Sequence, residues 1–218
     1  MPEITAELVA GLTPNGPTDP IVYYRRPLLG WLFRERINLG LRLLDGRRFV
    51  RALEVGYGSG VVLAALHPLV GELHGLDLDA DPTQAHETLR ARGARATLVQ
   101  GSVYDLPYPD AHFDLVASFS TFEHLHDYPK ALGEVARVLR PGGQFLLGMP
   151  SVNRMMEAGF LAIGFRGIND HHVTTPQQVA GGLGSAGLTV LRYRQLTLPL
   201  PGLPGAPVYH TWLLERVA

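Results

Sequence analysis

The chain has 218 residues, 46% of them hydrophobic, 18% charged, with a formal net charge of -1 and no cysteine. It is long enough to bury one substantial core, and its near-balanced charge gives no global electrostatic reason to bind nucleic acid. Without cysteine it has no disulfide, no thiolate metal site and no thiol nucleophile of the kind used to activate C5 of pyrimidines.

Residues 1–17 lack the basic start and apolar run of a signal peptide, and the longest apolar run, 61–70, is broken by His67 and Pro68 and cannot span a bilayer. The expectation is a cytoplasmic protein with no stable membrane insertion. Eight arginines (25, 26, 34, 36, 42, 47, 48 and 51) face only Glu35 and Asp45 in this stretch, a pattern expected of a solvated helix face, the alternative being a surface for an anionic substrate or lipid. Residues 1–48 are expected to form a helical cap or lid across one end of a core spanning 49–218.

From residue 49 strand-like and helix-like segments alternate. Strands are expected at 49–55, 72–78, 96–100, 113–119 and 144–149, the fourth being an almost continuous apolar run suited to burial on both faces. Helices are expected at 60–66, at 81–92 with Asp81 as N-cap and Pro82 behind it, and at 128–139, stopped by Pro141-Gly142-Gly143. A helix at 175–186, entered through Pro176, leads to strands at 188–196 and 209–217. No helix pattern separates those last two strands, so they must pair antiparallel, with the Pro/Gly-rich stretch 199–207 as their loop. The alternation predicts an α/β sheet with helices on both faces, its ligand lying beyond the carboxyl ends of the strands.

The first strand runs into Glu54-Val55-Gly56-Tyr57-Gly58-Ser59-Gly60. Glycines at alternate positions let the backbone turn sharply and approach a ligand. A dinucleotide fingerprint places its third glycine at the sixth position, where Val61 stands here, and a carboxylate at Glu54 would repel a pyrophosphate while suiting an ammonium group. A nicotinamide-dependent oxidoreductase is disfavoured for that reason. The pattern E-x-G-x-G-x-G resembles motif I of the class I S-adenosylmethionine-dependent methyltransferases. Three further blocks are similar to that family: Gly75-Leu76-Asp77-Leu78, the segment from Gly101 to Pro107 followed by Phe113-Asp114, and Glu123-His124 followed by Arg137-Val138-Leu139-Arg140-Pro141-Gly142-Gly143.

The resemblance implies a Rossmann-like seven-stranded sheet of order 3-2-1-4-5-7-6 with strand 7 antiparallel, and S-adenosyl-L-methionine as cofactor. It implies cofactor contacts from Glu54, Gly56, Tyr57, Gly58 and Gly60, with Asp77 on the ribose hydroxyls and Leu78 on the adenine face. Ser102 stands where the family usually has an aspartate for the adenine amino group, with Val103 N–H beside it, and Phe119 and Ser120 flank the methionine part. Asp114 is expected to cap a turn at the start of the fourth strand. The implied reaction is methyl transfer to a small-molecule acceptor, the alternative being a cofactor-binding protein without transfer. Residues 118–122, at the end of the fourth strand, contain no proline, so the nucleic-acid amino-methylating motif is missing.

Methyl transfer needs a general base only when the acceptor must lose a proton. Candidates are Glu123 and His124 after the fourth strand and His171 and His172 after the fifth, with His126 and Asp170 nearby. No recognised metal-ligand spacing occurs, so no metal site is expected. Substrate walls are expected from the N-terminal segment, with Tyr23, Tyr24, Trp31 and Phe33, and from an insertion at 151–170 carrying Met155, Met156, Phe160 and Phe165. Together they suit a partly apolar acceptor. The oligomeric state is not legible.

Overall fold

A computed structural model describes residues 2–17, 19–151, 172–200 and 203–217. Seven strands form a single sheet of order β3-β2-β1-β4-β5-β7-β6. Strands β1 (Phe49–Val55), β2 (Val70–Asp77), β3 (Thr97–Gln100), β4 (Phe113–Phe119) and β5 (Leu139–Pro150) are mutually parallel, whereas β7 (Leu203–Arg216) runs antiparallel to both β5 and β6 (Leu188–Leu200). The expected strand order is therefore the observed one.

Strand alternation divides the sheet between two cores, because successive side chains leave a strand on opposite faces. Ala52, Leu115, Leu146 and Leu213 join one core with helices α2 (Pro27–Leu41), α3 (Val61–Leu66) and α4 (Pro82–Ala91). Their neighbours Leu53, Val116, Phe145 and Leu214 join the other, under helices α5 (Tyr128–Val138) and α6 (Pro176–Gly182). Every residue of β4 is buried, as its unbroken apolar run requires.

Helix starts follow the expected chemistry. Asp81 accepts the Thr83 N–H ahead of Pro82, Asp127 accepts the Lys130 N–H, and Thr175 with Gln178 forms a capping box.

Three details differ from the sequence reading. Pro141-Gly142-Gly143 stops α5 but lies inside β5, whose pairing with β4 shifts register between Phe113 and Leu115. Pairing of β6 with β7 continues past the expected boundaries, with Thr197 opposite Pro207 and Leu198 opposite Ala206; Pro207 is tolerated because the pairing of β7 with β5 stops at Tyr209 and the β6–β7 register shifts between Leu196 and Thr197. Asp114 caps no turn: it is buried in β4 and accepts the N–H groups of Val50 (2.8 Å) and Arg51 (2.7 Å), holding the start of β1.

Ahead of the sheet lie the single-turn helix α1 (Ile21–Tyr24) and α2, preceded by an extended strap. Asn38 of α2 exchanges hydrogen bonds with the backbone of Ile4 (2.7 and 3.2 Å), and the Arg92 guanidinium donates to the carbonyls of Leu8 and Ala10. The strap thus crosses α2 and α4 before reaching the glycine turn. Among the described residues, no helix is long and apolar enough to cross a membrane.

Candidate active site

The turn between β1 and α3 is built by backbone that only glycine holds without strain. Gly56 sits at φ 82° and a Cβ there would collide with Thr121 Oγ1, while Gly58 sits at φ 47° beside the Asp19 carboxylate. Asp77, at the end of β2, fixes the turn from below: one carboxylate oxygen accepts the Gly58 N–H at 2.9 Å, and the other accepts the N–H groups of Asp79 and Ala80 at 2.9 and 3.0 Å. The oxygen facing Gly58 carries one of these bonds and retains acceptor capacity for a ligand hydroxyl.

Above this turn opens a cavity of about 370 Å³, within the size range of small-ligand sites. Four acidic residues line it, the exposed Asp79 and the more buried carboxylates of Asp19, Glu54 and Asp77. Glu54 is 2% exposed, and its Oε2 has no hydrogen-bond partner within the protein. Burial first, and then the fields of Asp77 and Asp19, hold its carboxyl well above the ordinary range, the Leu63 N–H opposing them. Asp19 is also raised, by burial above all, despite accepting the N–H groups of Asn15 and Ile21 at 3.0 Å each. Three carboxylates with one unsatisfied buried oxygen are complementary to a ligand carrying positive charge and hydroxyl donors. A sulfonium, an ammonium and two ribose hydroxyls are such a set, so the residues fit S-adenosylmethionine.

Of the expected cofactor contacts, Glu54, Gly56, Tyr57, Gly58, Asp77, Leu78, Ser102, Val103, Phe119 and Ser120 all line this cavity. Leu78 is 61% exposed, a flat apolar edge at the rim. Ser102 uses its hydroxyl to accept the Tyr104 N–H at 3.2 Å, and Ser120 Oγ lies 3.0 Å from Tyr209 Oη. Gly60 stands apart from the others, off the cavity wall: it faces Ala85 and Leu89 of α4 with room for a Cβ, and its φ of 79° is what calls for glycine.

The candidate bases gather at the other end. His124 lines the cavity beside His126, while Glu123 is buried behind it at 1% exposure, its Oε2 unpartnered. Burial pushes the Glu123 carboxyl up to about 8, against a lowering by its own backbone N–H and by Arg36. The Glu123 carbonyl accepts the N–H groups of Val173 (2.8 Å) and Thr174 (3.1 Å), which brings His172 edge-on to His124 with ring centroids 5.3 Å apart. His171, Asp170 and the four wall residues between 151 and 170 lie outside the described residues.

Comparison with known proteins agrees with this geometry. Residues 53–147 match the model of a methyltransferase domain. The chain is 43% identical over 101 residues to a fatty-acid O-methyltransferase of Mycolicibacterium smegmatis, covering 44% of this chain and 35% of that one. It is 30% identical over 132 residues to the uncharacterized methyltransferase YdaC of Bacillus subtilis, covering 54% of this chain and 72% of that one. The chain belongs to the class I S-adenosylmethionine-dependent methyltransferases. The YcgJ protein of Bacillus subtilis shares this methyltransferase fold at a TM-score of 0.64 and 20% identity, over 84% of this chain and 99% of that one. The family's cofactor, S-adenosylmethionine, is the cofactor of this chain. The matches span 37% and 47% of the length of the first two curated relatives.

Several residues of this methyltransferase's cavity wall escaped the motif reading of its cofactor site, among them four from the N-terminal segment. Asn15 and Asp19 come from the strap, Tyr24 and Arg36 from α1 and α2. Arg36 was hidden in a run of arginines expected to face solvent. Arg25, Arg26, Arg47, Arg48 and Arg51 do so, but the Arg36 guanidinium packs over Phe33 (4.4 Å), Tyr209 (5.5 Å) and Tyr24 (5.6 Å). Its place on the buried side of α2, at the helical spacing of Phe33 and Ile37, is the one local signal that could have found it.

Proposed function

We propose that the protein transfers a methyl group from S-adenosylmethionine to a small, partly apolar acceptor. The observation that carries this reading is the cavity at the glycine turn, where three carboxylates surround a site and Glu54 keeps one buried oxygen unpaired. When bound, the cofactor supplies a methyl group already activated on a sulfonium. The chain's own residues then hold, align and exclude water. Glu54 holds the ammonium group, Asp77 accepts the ribose hydroxyls, Leu78, Ser102 and Val103 border the adenine, and Phe119 and Ser120 border the methionine part. Alignment of this kind can lower a barrier by up to about 7–11 kcal/mol.

Tyr24, Ile37, Phe119 and Leu125 give the cavity an apolar side facing Arg36, which suits an acceptor with a hydrocarbon body and an anionic or polar group. That one relative is named a fatty-acid O-methyltransferase supports the same class. The segments 1–48 and 151–170 are assigned to the acceptor enclosure, and the cytoplasm remains the expected setting. Glu123, His124 and His172 form the end at which an acceptor's proton would leave.

The test is transfer of label from isotopically methyl-labelled S-adenosylmethionine into a small-molecule extract, with products identified by mass. Labelled product, reduced by His124→Ala while S-adenosylhomocysteine affinity holds, supports the reading, because that pattern marks an interaction with the transition state. Cofactor binding without any transfer over a broad acceptor panel would replace it with a binding protein on the same fold.

A further inference from the structure

Glu123, His124 and His172 are drawn together from two loops, and one ligand atom from each lies within 4.8 Å of the other two. Side chains far apart in the sequence come into this arrangement through the backbone: the carbonyl of Glu123 takes two N–H groups from residues 173 and 174, and the Thr174 hydroxyl donates to the Leu125 carbonyl at 2.5 Å. The stitching is independent of the side chains it gathers.

Two imidazoles and a carboxylate, with no cysteine anywhere in the chain, are the donor set of zinc, manganese or ferrous iron held by nitrogen and oxygen. A second observation points the same way. Glu123 is 1% exposed, yet its Oε2 bonds to nothing in the protein, although Arg36 is close enough for its charge to act on that carboxylate. A buried carboxylate oxygen without a donor is costly unless a cation or a proton meets it. His124 belongs to the cavity wall, so a cation there would have an approach path and an open side, as sites with three protein ligands do. Donor atoms on one tetrahedral ion at about 2.1 Å lie roughly 3.4 Å apart, so the three would need to close by up to about 1.4 Å, within reach of side-chain rotation.

We infer that Glu123, His124 and His172 form a binding site for a divalent transition-metal cation at the acceptor end of the cavity. This deepens the proposed function: it rests on that end being where the acceptor sits, and the three side chains would act by holding a cation in place of taking up a proton. Cation binding itself is measurable without any acceptor.

The full chain, stripped with a chelator, would be titrated with zinc by calorimetry and with cobalt by visible absorption. The expected result is one saturable zinc site and a cobalt band. Both should weaken at least about tenfold in Glu123→Gln and His172→Ala, since removing a ligand costs no less than removing its outer partner. Retained S-adenosylhomocysteine binding shows that each variant is folded and that cofactor recognition, hence the methyltransferase reading, is intact. Should either variant fail that check, His124→Gln and His172→Gln take its place. Zinc that never saturates one site on the wild-type protein, or binds the folded variants unchanged, overturns the inference. Loss of S-adenosylhomocysteine binding by the wild type would instead sink the proposed function alone.

Discussion

Asn15 donates from its side-chain amide to the carbonyl of Gly58 at 2.9 Å, tying the N-terminal strap to the turn that faces the cofactor. The same amide donates to the Asp81 carbonyl at 3.0 Å and its oxygen accepts the Asp81 N–H at 2.9 Å. Asn15 is 4% exposed, so all three bonds are made away from solvent.

Replacing Asn15 by alanine is therefore expected to leave backbone groups of Gly58 and Asp81 unpaired. Each buried group left so costs about 1–3 kcal/mol. Cofactor affinity should fall about tenfold or more, and the melting temperature should drop, in one and the same variant. Calorimetry with S-adenosylhomocysteine and a thermal melt check this. A lower melt with unchanged affinity would make the strap structural only.

This strap marks the limit of what the sequence revealed. The glycine turn and the alternating elements were legible because each is encoded locally, by a spacing or by an alternation, while Asp77 and the strand order followed from the family resemblance those motifs carry. Asn15 meets Gly58 and Asp81 across 43 and 66 residues, and Asp114 meets Val50 across 64, with no periodic signal at either partner. Glu123 and His172 were both noted as candidates, but their meeting depends on backbone bonds between two loops. Gly60, chosen because it completes the motif, sits on the helix side because the turn's φ angles swing its Cα towards α4.

Asp77→Ala should weaken S-adenosylmethionine and S-adenosylhomocysteine alike by about 2 kcal/mol, roughly thirtyfold. Part of that loss is indirect, because Asp77 also accepts the Gly58 N–H that shapes the turn. Asp77→Asn, whose amide oxygen can still accept, should lose less. Affinity unchanged in both would remove Asp77 from the site.

Gly58→Val places a Cβ about 3.4 Å from the Asp19 carboxylate in a backbone region that valine resists, at φ 47°. Left-handed backbone costs a β-carbon residue about 1–2 kcal/mol. Cofactor binding should be lost while circular dichroism shows a folded sheet. Tight binding by that folded variant would contradict the assignment of the turn.

Glu54 sets a pH dependence whose sign follows from its raised carboxyl. The folded state holds the Glu54 proton more tightly than the unfolded chain, so this residue's contribution to stability is full below the ordinary carboxyl range. It is lost as pH rises through the folded-state value. In the protein without cofactor, Glu54→Gln should thus raise the melting temperature near neutral pH and leave it nearly unchanged at pH 4. An ammonium placed beside Glu54 favours the ionised form, so cofactor binding should release a proton, read as a difference in binding enthalpy between two buffers of unlike ionisation heat. Glu54→Gln should abolish that difference and weaken binding together.

Removing residues 1–46 tests whether the N-terminal segment is a lid or part of the core. The sequence suggested a separable cap, since the whole sheet lies beyond residue 48. The structure places Ile21, Ile37, Leu41 and Leu44 at no more than 1% exposure, in the same hydrophobic core as Leu63, Leu115 and Leu146 of the α/β layers. Burying one such side chain stabilises by about 1.5–3 kcal/mol, so losing four would cost about 6–12 kcal/mol, as much as the whole stability of an ordinary domain. A chain beginning at Arg47 is expected not to fold, measured as loss of a cooperative melt and of S-adenosylhomocysteine binding. A shorter cut, beginning at Ile21, removes the strap with Asn15 and Asp19 and the buried Ile4, Val9 and Leu12 but keeps the core helices, and should melt at a lower temperature with an open cofactor site. If the Arg47 chain instead melts cooperatively and binds cofactor, the segment is a lid that the sheet does without.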